Sequence, residues 1–162
     1  MNFRVGLGYD VHPFEENRKL MLGGIEIPFD KGLKGHSDAD VLLHSITDAL
    51  LGAAGLGDIG AHFPDIDPKY KNADSAILLK ESYELVKNTG YELSNLDATI
   101  VAEAPKIMPH VTTIRKRISS IMDCDIDRVS IKATTNEKMG FVGRSEGIAV
   151  HAIVLIFKPA MD

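Results

Sequence analysis

The chain contains one cysteine, Cys124. No internal disulfide can form, and a reducing compartment fits. Positive charge is also scarce. Lys plus Arg number 18 against 23 Asp plus Glu, for a formal net charge of -5. With no basic tract or Lys/Arg-rich helix, nucleic-acid binding is excluded as an expectation. No apolar run approaches membrane-spanning length. The first residues, Met1 to Gly8, lack the apolar core and cleavage site of a signal peptide. No P-loop motif occurs, so that class of nucleotide-binding fold finds no support. Internal repeats and low-complexity segments are absent. These absences leave a soluble cytoplasmic protein as the expectation. At 162 residues and 44% hydrophobic content, one globular domain spanning 1–162 is predicted.

Residues Phe3 to His12 read as a strand. Leu20 to Ile27 read as a hairpin, because Gly23-Gly24 readily supplies the positive φ of a tight turn. Asp30 to Gly35 reads as a loop. Ser37-x-x-Asp40 is a capping-box variant, which predicts a helix opening at Ser37 and running to about Ala54. A long loop, Gly55 to Asn72, follows. Asp74 caps a second helix, Ser75 to Asn88, ended by Gly90. Leu96 to Ala102 is a strand. Pro109 starts a third helix, with Val111, Ile114, Ile118, Ile121 and Met122 on one face. Arg128 to Ala133 is a strand, Thr134 to Gly143 a polar loop and Ile148 to Phe157 a closing strand. The order predicts an α+β fold, a single mixed sheet with helices packed on one face. The other face needs a cover, and oligomerisation is the one available.

Four segments carry candidate chemistry. In the first, Asp10 and His12 stand at i and i+2 of a strand and so face one side. His44 lies one helical turn after Asp40. An Asp-His-His set suits Zn²⁺, and three protein ligands leave a fourth position open. Asp40, His44 and Asp48 also form an i, i+4, i+8 stripe, which taken alone reads more readily as a solvent-facing edge. The second segment is Gly57-Asp58-Ile59-Gly60 with Phe63-Pro64-Asp65 and Asp67. Its glycines permit close backbone approach to a ligand, but its acids read as turn formers. The third runs from Lys132 to Arg144. Its hydroxyls, carboxylate and cations suit phosphate oxygens and Mg²⁺, and equally suit a plain polar loop. The fourth, Ala102-Glu103-Ala104-Pro105-Lys106, has the composition of a strand-ending turn.

Taken together, in this order, these segments resemble the 2-C-methyl-D-erythritol 2,4-cyclodiphosphate synthase family. The resemblance runs from about Arg4 to Lys158. It rests on Gly8-Tyr9-Asp10-Val11-His12, His36-Ser37-Asp38-Ala39-Asp40-Val41-Leu42-Leu43-His44, Gly57-Asp58-Ile59-Gly60, Phe63-Pro64-Asp65 and Lys132-Ala133-Thr134-Thr135-Asn136-Glu137. It implies a metal-dependent phosphorus–oxygen lyase of the non-mevalonate isoprenoid pathway, in which a cytidine diphosphate substrate cyclises and releases CMP. It implies a homotrimer with active sites between subunits, cytoplasmic in a bacterium or a mature plastid form.

The same resemblance assigns residues. Asp10, His12 and His44 would hold zinc. Glu137 would hold a second ion, Mg²⁺ or Mn²⁺, on the diphosphate. Asp58, Ile59 and Gly60 would meet the methylerythritol hydroxyls, and His36 and Ser37 the phosphates. Phe63, Pro64, Asp65 and Asp67 would line the same pocket. From a neighbouring subunit, Ala102, Ala104, Pro105, Lys106, Ile107 and Met108, with Ala133, Thr134, Thr135 and Asn136, would cradle cytidine and its phosphates. Lys132 and Thr135 join His36, Asp58 and Glu137 in the reacting set. Phe141 and Arg144 would lie near the trimer axis, where some relatives carry an isoprenoid diphosphate. Tyr9, Ile107 and His151 depart from common family residues without touching the zinc ligands.

Overall fold

Alternation with period two governs the long strands of the computed structural model, which describes residues 2–64, 66–70 and 73–160. In the last strand, β7 (Gly147–Phe157), Ile148, Val150, Ala152, Val154 and Ile156 are buried, while His151 and Ile153 are exposed. The first strand, β1 (Phe3–Glu16), buries Gly6 and Gly8 and exposes Val5 and Leu7. Such patterns are those of strands covered on one face only. Strand β5 (Glu92–Val101) and β6 (Val129–Thr134) complete the inner sheet, and β4 (Lys31–Leu33) adds to the far end of β1. The five strands run in the order β4-β1-β7-β5-β6, with β5 and β6 parallel and the other pairs antiparallel. Strands β2 (Leu20–Leu22) and β3 (Ile25–Ile27) form a separate hairpin whose Gly23 and Gly24 both have positive φ, as the sequence predicts.

Helix α1 (Val41–Ala54) lies on β1 and β7, and α3 (Ser75–Asn88) lies on α1. Covered on two sides, α1 is apolar nearly all round. Leu42, Leu43, Ile46, Leu50 and Leu51 are fully buried, each contributing about 1.5–3 kcal/mol relative to exposure. Helix α4 (Val111–Met122) buries Ile114, Ile118, Ile121 and Met122 of the predicted stripe, with Val111 half-buried against the core, and connects β5 to β6. The fold is thus mixed α+β with the long helices against one face.

Four local expectations are corrected. Ser37 does not open α1. Asp40 is its N-cap, accepting from Leu43 N–H at 3.0 Å, and 37–40 precede the helix. The segment read as a loop over 30–35 contains β4, which pairs with 14–16 of β1. The loop over 55–72 contains the short helix α2 (Ile59–His62), capped by Asp58, and a 3-10 turn, Pro68–Tyr70. The polar loop over 134–143 ends in a short helix, α5 (Gly140–Gly143). Asp65 lies outside the described residues.

The uncovered face of the sheet is apolar along β1. Val5 and Leu7 are 68% and 67% exposed, and Phe3, Tyr9 and Ile153 are also open. Among the described residues no helix is long and apolar enough to cross a membrane.

Candidate functional site

The even-numbered residues of β1 face α1. Nearest the helix, Gly6 and Gly8 carry no side chain. A Cβ on Gly8 would stand 1.8 Å from the Ser45 carbonyl oxygen, and one on Gly6 would stand 1.9 Å from that of Ala49. Strand and helix backbones therefore touch here. The next inward residues, Asp10 and His12, extend past this contact and meet His44 from α1.

The three side chains converge. Each offers one ligand atom, and these lie within 4.8 Å of one another. Asp10 Oδ2 is 3.0 Å from His12 Nε2 and 3.2 Å from His44 Nδ1, and the two nitrogens are 3.3 Å apart. The far nitrogen of His12, Nδ1, is 2.6 Å from the Lys34 carbonyl oxygen. A carbonyl only accepts, so His12 carries a proton on Nδ1, and Nε2 is the atom that would bind a cation. Burial opposes ionisation of Asp10. The hydrogen bonds and charges of His12 and His44 outweigh it and hold the carboxyl well below the usual carboxylate range. Burial likewise works against a charged His12, but the Asp10 hydrogen bond and charge raise its pKa above the ordinary value. One carboxylate and two imidazoles of borderline softness, aimed at one point and backed by a carbonyl, fit a Zn²⁺ ion with an open fourth position.

A cavity of about 250 Å³ opens on this cluster. It is lined by Asp10, His12, His36, Ser37 and His44, by Ile59, Gly60 and Phe63, and by Gly35, Asp48, Tyr70 and Leu78. Asp58 stands beside it, exposed, with one carboxylate oxygen capping α2 through Ala61 N–H at 2.9 Å. His36 Nε2 is buried with no hydrogen-bond partner among the described residues. Asp67 accepts from Lys69 N–H, forming a turn as its composition suggests. Pro64 does not line the cavity.

The solvent-facing reading of the Asp40–His44–Asp48 stripe is overturned. Asp40 is fully buried, His44 is in the cluster, and Asp48 lines the cavity and accepts from Ile59 N–H at 2.7 Å. Burial raises the Asp48 pKa, and the Asp58 and Asp10 charges add to the effect against that hydrogen bond.

A second cavity, of about 290 Å³, lies past the ends of β5 and β6. Ala102, Pro105, Lys106, Ile107, Met108, Ala133, Thr134 and Thr135 line it, with Glu103 and Pro109. It shares no lining residue with the first. Near it Glu137 is exposed, with Thr135 Oγ1 donating to its Oε1 at 3.3 Å. Ala104 and Asn136 do not line the cavity. Asn136 donates from its side chain to the Met139 carbonyl. Lys132 is elsewhere, paired with Asp97 on the open face of the sheet. Arg144 pairs with Glu146 at 2.6 Å, Phe141 is 39% exposed, and Tyr9 stacks near His151 across β1 and β7.

Sequence reasoning read Asp48 only as part of a solvent-facing stripe, Asp38 and Glu103 only as members of longer motifs, and Ser75 only as the start of a helix. Asp48 was signalled by its i+4 spacing from His44. Glu103 Oε1 accepts from the Asn136 and Lys138 N–H groups, both at 3.0 Å, and so shapes the 134–139 loop. It has no local sequence signature.

The chain matches the YgbB family over residues 3–157. It is 60% identical to the 2-C-methyl-D-erythritol 2,4-cyclodiphosphate synthase of Bacillus cytotoxicus, over 96% of this chain and 99% of that one. Among solved structures it resembles the bifunctional IspDF of Campylobacter jejuni, with a TM-score of 0.94 and 49% identity. That match covers 97% of this chain, which spans only 42% of the bifunctional protein. It also resembles the CDP complex of Plasmodium falciparum IspF, with a TM-score of 0.86 and 34% identity over 98% of each chain. A strand-and-helix Asp-His-His cluster, the fold around it and these near full-length similarities agree: the chain belongs to the YgbB family.

Proposed function

We propose that the protein converts 4-diphosphocytidyl-2-C-methyl-D-erythritol 2-phosphate to 2-C-methyl-D-erythritol 2,4-cyclodiphosphate and CMP, in the non-mevalonate route to isoprenoid precursors. The observation that carries this reading is the convergence of Asp10, His12 and His44 at the mouth of a cavity. The names of its relatives support the particular reaction, and a CDP-bound relative supports a cytidine nucleotide as ligand.

In the reaction an oxygen of the 2-phosphate forms a bond to the β-phosphorus. The bond from that phosphorus to the bridging oxygen breaks, and the oxygen leaves with CMP. No base is needed to make the nucleophile, because a phosphate monoester has a second pKa of about 6 and is largely dianionic at neutral pH. Repulsion between anions and disorder of a flexible substrate are the obstacles.

Asp10, His12 and His44 would hold Zn²⁺, which when bound supplies Lewis-acid stabilisation of phosphate charge. Glu137, exposed near the second cavity, would hold Mg²⁺ or Mn²⁺ in the one-carboxylate manner usual for Mg²⁺ at phosphates. His36 presents a buried nitrogen, without a partner among the described residues, that suits a phosphate oxygen. Ser37 would assist it. Asp58 keeps a second oxygen free for substrate hydroxyls, beside Ile59, Gly60 and Phe63. The Ala102–Met108 and Ala133–Thr135 walls would enclose cytidine, with Thr135 orienting its phosphates.

Assembly belongs to the same reading. The apolar row of β1 is suited to burial against further copies, and a homotrimer would bring the metal-side cavity of one subunit to the nucleotide-side cavity of the next. Phe141 and Arg144 would then lie near the axis, within reach of an isoprenoid diphosphate. The protein would act in a cytoplasm or inside a plastid.

Phosphorus NMR on the purified protein with this substrate and Mg²⁺ tests the reaction. Two mutually coupled cyclic-diphosphate signals should appear with CMP and disappear on zinc chelation. Release of inorganic phosphate would replace the reading with a hydrolase. Mixing His44→Ala and Glu137→Gln chains after co-refolding tests the shared site. Recovered turnover is expected, because some interfaces pair two intact halves, and no recovery would refute a site between subunits.

A further inference from the structure

The far side of the His44 ring is as constrained as its metal-facing side. Nε2 lies 2.9 Å from Ser75 Oγ and 3.1 Å from Ser37 Oγ. A hydroxyl both donates and accepts, so these contacts alone leave the tautomer of His44 open. Asp38 settles it. Its carboxylate accepts the Ser75 hydroxyl on Oδ1. The same carboxylate accepts the Asp40 N–H on Oδ1 and the Ser75 N–H on Oδ2, both at 3.2 Å. With only donors around it among the described residues, Asp38 takes the single Ser75 proton and leaves the Ser75 oxygen to accept. The partner of that oxygen is His44 Nε2–H. Ser37 Oγ accepts from Ala39 N–H at 3.1 Å and can direct its own proton to Ser75 Oγ at 3.4 Å.

Helix capping does not account for Ser75. Asp74 already caps α3, accepting from Ala76 N–H at 2.8 Å, so the buried Ser75 hydroxyl is spare to the helix. Asp38 also sits within the segment that carries His36 and Ser37, and its N–H donates to the Ala73 carbonyl at 3.1 Å. The group that orders His44 is therefore the group that anchors this segment to the start of α3.

We propose that Ser75 and Asp38 are a positioning pair that holds His44 as the Nε2–H tautomer, presents its Nδ1 lone pair to the bound cation, and ties cation binding to the placement of the His36–Ser37 segment. The inference rests on the reading of Asp10, His12 and His44 as a metal site. Partners behind a ligating histidine fix its ring and tautomer, and their loss typically weakens metal affinity about 10–100-fold. The coupling is reciprocal, so a segment ordered by Asp38 favours the cation and the cation favours the ordered segment.

Zinc affinity, measured by competition with a chromophoric chelator, and ¹⁵N NMR of the zinc-free His44 ring provide the test. Ser75→Ala should bind zinc about 10–100-fold more weakly and shift the zinc-free His44 proton toward Nδ1, where Asp10 Oδ2 lies at 3.2 Å to accept it. Asp38→Ala acts without removing the hydroxyl. It frees the Ser75 proton for His44 Nε2, shifting His44 toward the Nδ1–H form with a comparable loss of affinity. Should Ser75→Ala fail to fold, Asp38→Ala carries the same two readouts. Unchanged affinity and an unchanged tautomer in a folded variant would overturn the pair. Failure of the unmodified protein to bind zinc would instead overturn the metal site itself.

Discussion

The Asp40 carboxylate accepts the Gly24 N–H at 2.7 Å across sixteen residues of chain, and the neighbouring Gly23 N–H at 2.9 Å. One side chain thus joins the tip of the β2–β3 hairpin to the start of α1, the helix that carries His44. Burial pushes the Asp40 pKa up, against the pull of its three N–H donors.

Asp40→Ala should destabilise the fold by about 3–5 kcal/mol, since it leaves buried N–H groups unpaired at about 1–3 kcal/mol each and removes a helix cap. Asp40→Asn, which keeps one acceptor, should cost less. Urea denaturation of the zinc-free variants measures both, and a loss below about 1 kcal/mol for alanine would contradict this role.

Gly8→Ala should act through geometry. The added methyl meets the α1 backbone, which cannot yield as a side-chain tip would. Overpacking of this sort costs about 1–3 kcal/mol or more, and lifting α1 from β1 also separates His44 from Asp10. Lower thermal stability together with weaker zinc binding is expected. A variant with ordinary zinc affinity would show that the two elements are not held by this contact.

Asp48→Asn gives a pH-dependent outcome. The Asp48 pKa is raised in the folded chain, chiefly by burial, so its ionised form detracts from stability above that pKa. The deficit fades as pH falls through the raised value, where the folded carboxyl takes up its proton. The asparagine keeps an acceptor for Ile59 N–H and removes the charge. In zinc-free protein, Asp48→Asn should therefore be more stable than the parent at neutral pH, with the gap closing in acid. Denaturant midpoints across that range check the sign, and a gap widening in acid would reverse the argument.

Glu137→Gln should weaken the Mg²⁺ dependence of turnover while leaving zinc content unchanged. Activity titrated against Mg²⁺, with zinc measured by elemental analysis, separates the two. An unchanged titration would remove Glu137 from the second-ion role.

The ligand cluster was legible because two short-range periodicities act on it. The strand repeat puts Asp10 and His12 on one side of β1, and the helix repeat sets His44 one turn after Asp40 in α1. The Gly23-Gly24 turn was legible for a similarly local reason. Asp40 was misread because its true partners, Gly23 and Gly24, are distant in sequence, and an isolated i, i+4, i+8 stripe does not reveal what packs against it. Strand β4 is three residues long and exists through its pairing with 14–16 of β1, a contact that leaves no pattern in so short a segment. Ser75 and Asp38 meet only in the folded chain, and each has a common alternative use near a helix start.

The bare contact of Gly6 and Gly8 with α1 also bears on how this protein tolerates change. Elsewhere the layers are separated by side chains, whose exchange between larger and smaller residues shifts the spacing of sheet and helix. Here no side chain intervenes, so the separation is set by the van der Waals radii of two main chains. Core residues such as Leu50, Val154 and Ile156 can drift over generations while the distance between Asp10 and His44 stays fixed. The chemistry is thereby insulated from the evolution of the interior that supports it.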